Sequence, residues 1–331
     1  MKSLAHLPVR VAGLGSYLPE NVLTNHDLEE MVDTSDGWIT QRTGIRERRL
    51  ASDDQATSDL AVRAARQALQ DAGCGTDDVD AIICCTCTPD HLFPATACLV
   101  QDALGVEDAL CYDLEAACSG FVFGLNQAAG LLAGGMAECV LVIGAETLSR
   151  FTDWEDRRSC ILFGDGAGAA VVQNSEDDSA ILYSELGADG SRPSILRILA
   201  GGARRPATRK TVDKGQHYME LKGREVFKWA VSKLGELVDS IPRETGISMD
   251  EVRLIVPHQS NERIIRSVCE RAGLSQDRAY MNIDAVGNTS AASIPVAFEE
   301  AVQKGLVERG DLVLLLAFGG GVTWGSTLLR Y

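Results

Sequence analysis

The chain has 331 residues, 45% apolar and 24% charged, a balance that supplies a large core and argues against disorder or a fibrous repeat. Its 47 acids against 31 bases leave a formal charge of -16, which disfavours a global nucleic-acid surface and attachment to anionic lipid. The apolar runs Cys139 to Ala145 and Leu312 to Phe318 are too short for a membrane helix of about 20 residues, and the opening MKSLAHLPVRVAG lacks the apolar core and cleavage site expected of a secretory signal.

Strands and helices then alternate, the pattern of an α/β layer fold. Val9 to Leu14 reads as a first strand. Leu60, Ala61, Ala64, Ala65, Ala68, Leu69 and Ala72 share one face of a helix that Gly73 stops. Val79 to Cys85 is a buried strand. A short strand at Cys111 to Leu114 leads into an apolar helix over Ser119 to Ala133, and strands follow at Glu138 to Gly144 and Ala167 to Val172. A charged helix is expected over Gly223 to Val238. Beyond it the order repeats, with strands at Val252 to Val256 and Leu312 to Ala317 around a helix at Ala291 to Val302. Val79 to Val140 and Val252 to Val313 are both 61 residues apart, which points to duplication. The expected halves are 1–178 and 179–331, packed as one unit because no low-complexity linker divides them. A stretch at about 186–217 has little periodicity and reads as a mobile surface excursion.

The ten cysteines lie mostly within or beside apolar segments, a poor disulfide framework that suits a reducing cytosol. Cys84, Cys85 and Cys87 invite a metal reading. A strand sends Cys84 and Cys85 to opposite faces, however, and no partner ligands stand nearby, so they read as packing residues. Gly13-Leu-Gly15 lacks the third glycine of a dinucleotide fingerprint, since position 18 is Leu.

Three residues stand out for chemistry. Cys118 falls where a strand turns into the Ser119–Ala133 helix, and a helix start favours thiolate over thiol. His258 ends the apolar run LIVPHQ, at the carboxyl edge of a sheet where α/β sites form. Asn288, in GNTSAAS, is read as occupying the place in the second half that Cys118 occupies in the first. Imidazole and amide together offer two donors to a developing oxyanion. A Cys-His-Asn set also serves cysteine proteases, so the set alone does not choose the reaction.

The runs TSDGWITQRTGIRERR, ACSGF, ILFGDGAGA, VPHQSN, GNTSAAS and AFGGGVTWGS follow one another along nearly the whole chain. With them the chain resembles the β-ketoacyl-acyl-carrier-protein synthase III family, condensing enzymes that start type II fatty acid synthesis. The resemblance implies a thiolase-like fold of two duplicated βαβαβαββ halves, packed as a five-layer αβαβα unit. It implies that Cys118 takes the acyl group of a short acyl-CoA. His258 and Asn288 would then hold the malonyl thioester of acyl carrier protein through decarboxylation, and the amides of Cys118 and Gly320 would form the oxyanion hole. Trp38, Arg42 and Arg157 would hold coenzyme A, with Asn261 on its pantetheine arm and Leu221 and Phe227 along the substrate tunnel. Cys87 is linked to the acyl pocket. Phe93 would reach into the pocket of a partner in a homodimer. Arg224, Lys228 and Arg263 would dock the carrier protein. Arg192 to Lys233 holds eleven bases against three acids, which supplies a local basic face on an acidic chain. No metal or redox cofactor is implied, acyl-CoA being a substrate, and the location implied is cytoplasmic. The alternative is a related acyltransferase of secondary metabolism. Hydroxymethylglutaryl-CoA synthase and plant-type polyketide synthases would share the fold and the cysteine, whereas a non-catalytic chain-length subunit would lack it.

Overall fold

A computed structural model describes residues 4–331; the first three residues of the segment read for a signal lie outside that range. The chain begins with β1 (Leu4–Leu7) and β2 (Val9–Tyr17). A hairpin of β3 (Asn21–Thr24) and β4 (Glu47–Leu50) encloses α1 (Asn25–Met31) and α2 (Asp36–Thr43). There follow α3 (Thr57–Ala72), β5 (Ala81–Cys85), α4 (Thr96–Leu104), β6 (Leu110–Leu114), α5 (Gly120–Ala133), β7 (Cys139–Glu146) and β8 (Gly166–Asn174). These strands form a five-stranded sheet in the order β2-β8-β7-β5-β6, with β5 parallel to both β6 and β7.

The rest of the chain supplies β9 (Ala180–Ala188), β10 (Leu196–Ile198), α6 (Arg209–Val212), β11 (Met219–Leu221), α7 (Gly223–Thr245) and β12 (Leu254–Pro257). It ends with α8 (Glu262–Arg271), α9 (Ile283–Val286), α10 (Ser293–Gln303), β13 (Leu312–Gly319) and β14 (Thr323–Arg330). The second sheet runs β1-β9-β14-β13-β12. Its layout copies the first, with one reduction. The place of β6 shrinks to a single parallel bridge between Ile255 and Ala279, and β1 is added at the opposite edge.

Three apolar clusters define five layers. α3 and α4 cover the outer face of the first sheet, through Leu60, Ala64, Ala68 and Val100 against Ile82, Leu141 and Val171. Between the sheets lie α5 and α10, with Phe121, Leu125, Ile294 and Phe298 against Val142, Val256 and Leu315. α7 and α8 cover the outer face of the second sheet, through Leu234, Ile241, Ile265 and Val268 against Leu314 and Leu316. This is the αβαβα stack expected. The expected faces of β5 also hold: Cys84 belongs to the outer cluster and Cys85 to the central one.

Local chemistry explains the main boundaries. The Ala-rich face of α3 is buried, and Gly73 ends the helix at φ +67°, where a side chain would be strained. A Cβ on Gly13 would sit 2.3 Å from the Ala72 nitrogen and one on Gly15 2.4 Å from the Ala64 carbonyl. The Gly-Leu-Gly run therefore lets β2 pack closely on α3, which accounts for it without a nucleotide.

The 186–217 stretch, read as having little periodicity, holds short regular elements. β9 runs on to Ala188. Inside the stretch Leu196 to Ile198 pairs antiparallel with Met219 to Leu221, and Thr208 caps α6 by accepting from the Thr211 N–H. A three-residue strand and a single helical turn are too short to show in periodicity.

Candidate active site

Cys118 sits in a 3-10 turn, Ala117–Ser119, between β6 and α5. Ala117 holds φ +47°, a conformation that L-residues adopt only when their surroundings enforce it. The enforcing contacts come from the far end of the chain. Thr323 donates its hydroxyl to the Ala116 carbonyl at 2.8 Å, and a Cβ on Gly319 would stand 2.8 Å from the Cys118 nitrogen. Only glycine lets the exit of β13 approach the nucleophile turn so closely. Gly319 lines the cavity beside Cys118, and the amide of the expected Gly320 belongs to the peptide that leaves it.

One expectation about Cys118 is reversed. It is buried, and that burial pushes its thiol up to about 12, even though the Ser290 hydroxyl and a backbone N–H act the other way. Regular α5 begins only at Gly120, so the helix start does not offset the loss of solvent.

His258 follows β12 directly. Its backbone N–H donates to the Leu316 carbonyl at 2.7 Å, and its ring lies edge-on to Phe318 at 5.6 Å. Nδ1 is 2.7 Å from the Ser293 hydroxyl oxygen. The same oxygen accepts from the Gln259 N–H at 3.4 Å, and in the tautomer whose Nδ1 accepts the Ser293 proton the ring carries its own proton on Nε2. Burial lowers the imidazole to about 3, so the ring is neutral at pH 7. Asn288 is fixed as firmly. Its N–H donates to the Leu162 carbonyl at 2.9 Å, its carbonyl accepts from Gly164 at 3.0 Å, and its side-chain oxygen accepts from the Ser290 N–H at 2.9 Å. With the oxygen so engaged, the side-chain nitrogen is the group Asn288 has to offer as a donor.

The correspondence read from sequence between Asn288 and Cys118 fails. The displacement that carries β7 onto β13 carries the Ala117–Ser119 turn onto the 3-10 turn Ser290–Ala292. Ala291 is the counterpart of Cys118, and Asn288 lies just before that turn. The counterpart of His258 is Cys85.

Cys118, His258 and Asn288 line one cavity of about 800 Å³, with Trp38, Arg42, Leu221, Phe227 and Asn261 along it. α2 does carry Trp38 and Arg42 on one face: the Arg42 guanidinium lies 4.2 Å and that of Arg157 5.1 Å from the Trp38 ring. Arg157 stays outside the cavity, held by the Asp33 carbonyl at 2.7 Å, while its neighbour Arg158, which sequence reasoning missed, lines it. Asn261 caps α8 and donates to the Arg42 carbonyl at 2.9 Å, tying α8 to α2. Arg224, Lys228 and Arg263 also line the cavity, and among the described residues none of the three makes an ion pair. Elsewhere in the basic run, Arg192, Arg197, Lys222 and Lys233 are paired with carboxylates. Phe93 is away from this cavity and 86% exposed. Cys87 does not line the cavity either; it contacts Glu146. Ser290, Ser293 and Glu146 were missed as well. Both serines lie within GNTSAAS, and Glu146 is the one charge ending an otherwise apolar strand.

The five-layer αβαβα stack of two like halves, with Cys118, His258 and Asn288 on one cavity, places this chain in the thiolase-like fold class. Comparison with known proteins narrows the class. The profiles described as 3-oxoacyl-[acyl-carrier-protein (ACP)] synthase III and its C-terminal part match residues 112–190 and 243–331. Beta-ketoacyl-[acyl-carrier-protein] synthase III of Natranaerobius thermophilus is 48% identical, over 97% of this chain and 99% of its own length. The crystal structure of 3-oxoacyl-[acyl-carrier-protein] synthase III from Aquifex aeolicus VF5 superposes with a TM-score of 0.90 at 47% identity, over 98% of this chain and all of its own. The priming beta-ketosynthase from the R1128 polyketide biosynthetic pathway is 31% identical with a TM-score of 0.90, over 99% and 98%. The chain belongs to the β-ketoacyl-[acyl-carrier-protein] synthase III family, the initiating condensing enzymes of fatty acid synthesis. Among the described residues no helix is long and apolar enough to cross a membrane.

Proposed function

We propose that the enzyme condenses a short acyl-CoA with malonyl-acyl carrier protein, through an acyl group carried on Cys118. The observation that carries this reading is the placing of Cys118, His258 and Asn288 on one cavity that opens past Trp38 and Arg42. The arginine and tryptophan stack suits adenine, and a pantetheine arm would run along Asn261, Leu221 and Phe227, which line the same cavity. Cys118 attacks the acyl thioester, the amides of Cys118 and Gly320 take the developing oxyanion, and coenzyme A leaves.

In the second half-reaction the malonyl thioester carbonyl accepts from His258 Nε2–H and Asn288 Nδ2–H. Loss of CO2 places negative charge on that oxygen, which the two neutral donors stabilise without first being neutralised by it. The enolate attacks the acyl-enzyme and leaves as a 3-oxoacyl product on the carrier. These steps call on no metal or redox cofactor. Arg224, Lys228 and Arg263, which line the cavity and make no ion pair among the described residues, offer an acidic carrier protein a docking face. The exposed pair Leu92 and Phe93 supports a homodimer in which Phe93 enters the partner's pocket. A cytoplasmic location accords with cysteines that are free rather than bridged.

The test supplies a panel of acyl-CoAs with malonyl-carrier protein and follows CO2 release and the 3-oxoacyl product. Product with a short acyl primer is expected. Acyl transfer to another acceptor without decarboxylation would instead favour an acyltransferase of secondary metabolism.

A further inference from the structure

A neutral imidazole donates from one nitrogen only, so the decarboxylation proposed above needs His258 to carry its proton on Nε2. Ser293 faces the other nitrogen. It is the first residue of α10 and has no solvent exposure. A serine in a helix can turn its hydroxyl back to a carbonyl of the preceding turn. The Ser293 oxygen instead lies 2.7 Å from His258 Nδ1 and accepts from the Gln259 N–H at 3.4 Å. Among the described residues the hydroxyl has no other hydrogen-bond partner.

Both sides of this contact are fixed. The His258 N–H donates to the Leu316 carbonyl of β13 at 2.7 Å, and the ring packs edge-on against Phe318. Gln259 is fully buried. Its side chain donates to the Pro257 carbonyl at 2.8 Å and the Tyr280 carbonyl at 3.1 Å, and accepts from the Asn282 N–H at 3.2 Å. These bonds hold the Gln259 backbone in place beside the serine. The Ser293 N–H donates to the Ser290 carbonyl, so the hydroxyl is carried by a backbone that is itself tied down.

The two tautomers of His258 satisfy this set differently. The Gln259 N–H can only donate, which leaves Nδ1 as the one acceptor in reach of the Ser293 proton among the described residues. With the ring proton on Nε2, Gln259 donates to Ser293, Ser293 donates to Nδ1, and Nε2–H is left for the cavity that His258 lines. With the ring proton on Nδ1, the serine oxygen receives two donors and its own proton is buried without an acceptor. An unsatisfied buried donor shifts such an equilibrium by about 5- to 150-fold. That tautomer would also offer the malonyl thioester oxygen a bare Nε2 lone pair, and two acceptors repel as negative charge develops.

We propose that Ser293 is a positioning residue that holds His258 in the tautomer with its proton on Nε2, and so makes the ring a donor during decarboxylation. The inference rests on the reading of His258 as a donor to the malonyl thioester. Ser293 does not line the cavity, so it acts through the ring. No proton is transferred: the serine keeps its hydroxyl proton and the ring keeps Nε2–H.

The tautomer is read by long-range proton–nitrogen correlation NMR of protein carrying isotope-labelled histidine, near neutral pH. The His258 signals are assigned by their absence from His258→Asn. The wild type should show a bare Nδ1 and a protonated Nε2; a wild-type ring with its proton on Nδ1 would overturn the proposal with no change made at Ser293. Ser293→Ala removes only an oxygen from a helical position, so α10 is kept. It should leave both tautomers populated and lower CO2 release from malonyl-carrier protein by about 10- to 100-fold, the usual cost of removing the group that orients an imidazole. Labelling of Cys118 by acyl-CoA should change far less. Ser293→Thr keeps the hydroxyl and should restore both the tautomer and the rate. A folded Ser293→Ala that keeps the single wild-type tautomer, or that releases CO2 at the wild-type rate, would also overturn the proposal. CO2 release at the wild-type rate from His258→Ala would instead overturn the donor reading, and the catalytic half of the proposal with it, while the wild-type tautomer stands.

Discussion

Asn288→Asp separates the donor role of this residue from its place in the fold. The two side chains have the same shape, and the oxygen that accepts from the Ser290 N–H at 2.9 Å is kept. Only the atom facing the cavity changes, from a donor nitrogen to an acceptor oxygen. Losing one preorganised donor costs about 100- to 1,000-fold in rate. A carboxylate facing an enolate oxygen adds repulsion, up to about 4 kcal/mol at 4 Å in a partly screened site. Decarboxylation of malonyl-carrier protein should therefore fall by at least about 100-fold at pH 7. The loss should be pH-dependent. A carboxyl in this buried position is raised by desolvation, and once protonated it again presents an O–H donor. His258 stays neutral down to about 3, so it does not titrate across the range used. Measured as CO2 release and divided by the wild-type rate at each pH, Asn288→Asp should recover as the pH falls from about 7.5 towards about 5. Labelling of Cys118 by acyl-CoA should change far less. A variant that decarboxylates at the wild-type rate at pH 7, or a deficit independent of pH, would refute the donor role.

Other consequences follow from the same geometry. Folded His258 binds a proton only near about 3, whereas an unfolded histidine does so near about 6.5. Its contribution to stability is thus complete above the unfolded value and is lost as pH falls towards the folded one, by up to about 1.4 kcal/mol per pH unit. Urea unfolding between those limits should show a weaker pH dependence in His258→Asn than in wild type; identical slopes would contradict the buried neutral ring. Trp38→Ala removes the surface on which Arg42 and Arg157 stack. It should raise KM for acyl-CoA about tenfold, for a contact worth about 1 kcal/mol or somewhat more, without altering alkylation of Cys118 by iodoacetamide. Lys228→Glu with Arg263→Glu should slow use of malonyl-carrier protein, as added salt should in the wild type, while acylation by acyl-CoA stays near normal. Equal losses with both substrates would place carrier docking elsewhere.

The layer order was legible because it is written in periodicity. The Ala-Leu face of α3, the unbroken apolar runs of β7 and β13, and their equal spacing from Val79 and Val252 need only helix and strand geometry to be read. The hairpin of β3 and β4 was not legible: Asn21 to Thr24 and Glu47 to Leu50 are only four residues each, without an apolar run, and they pair across two intervening helices. The mismatch over Asn288 has a simple origin. Residue chemistry drew attention to the asparagine, but the register of the duplicated halves runs through the Ser290–Ala292 turn. Burial decided what sequence could not. A helix start argues for a thiolate at Cys118, and removal from water argues more strongly against it. The Glu146 network was out of reach for the same reason. Thr86 to Thr88, Glu146 and Ser290 come from three separate segments, and only the fold shows that their polar atoms converge.

The claim on which the mechanism turns is that Cys118 carries the acyl group. Intact-protein mass spectrometry after brief exposure to a panel of acyl-CoAs tests it most directly, with peptide mapping to place the label. One acyl group per chain on the peptide containing Cys118 is expected, absent as a stable thioester from Cys118→Ser and displaced when malonyl-carrier protein is added. Full labelling of a Cys118→Ala protein, or a label that persists through condensation, would contradict the account.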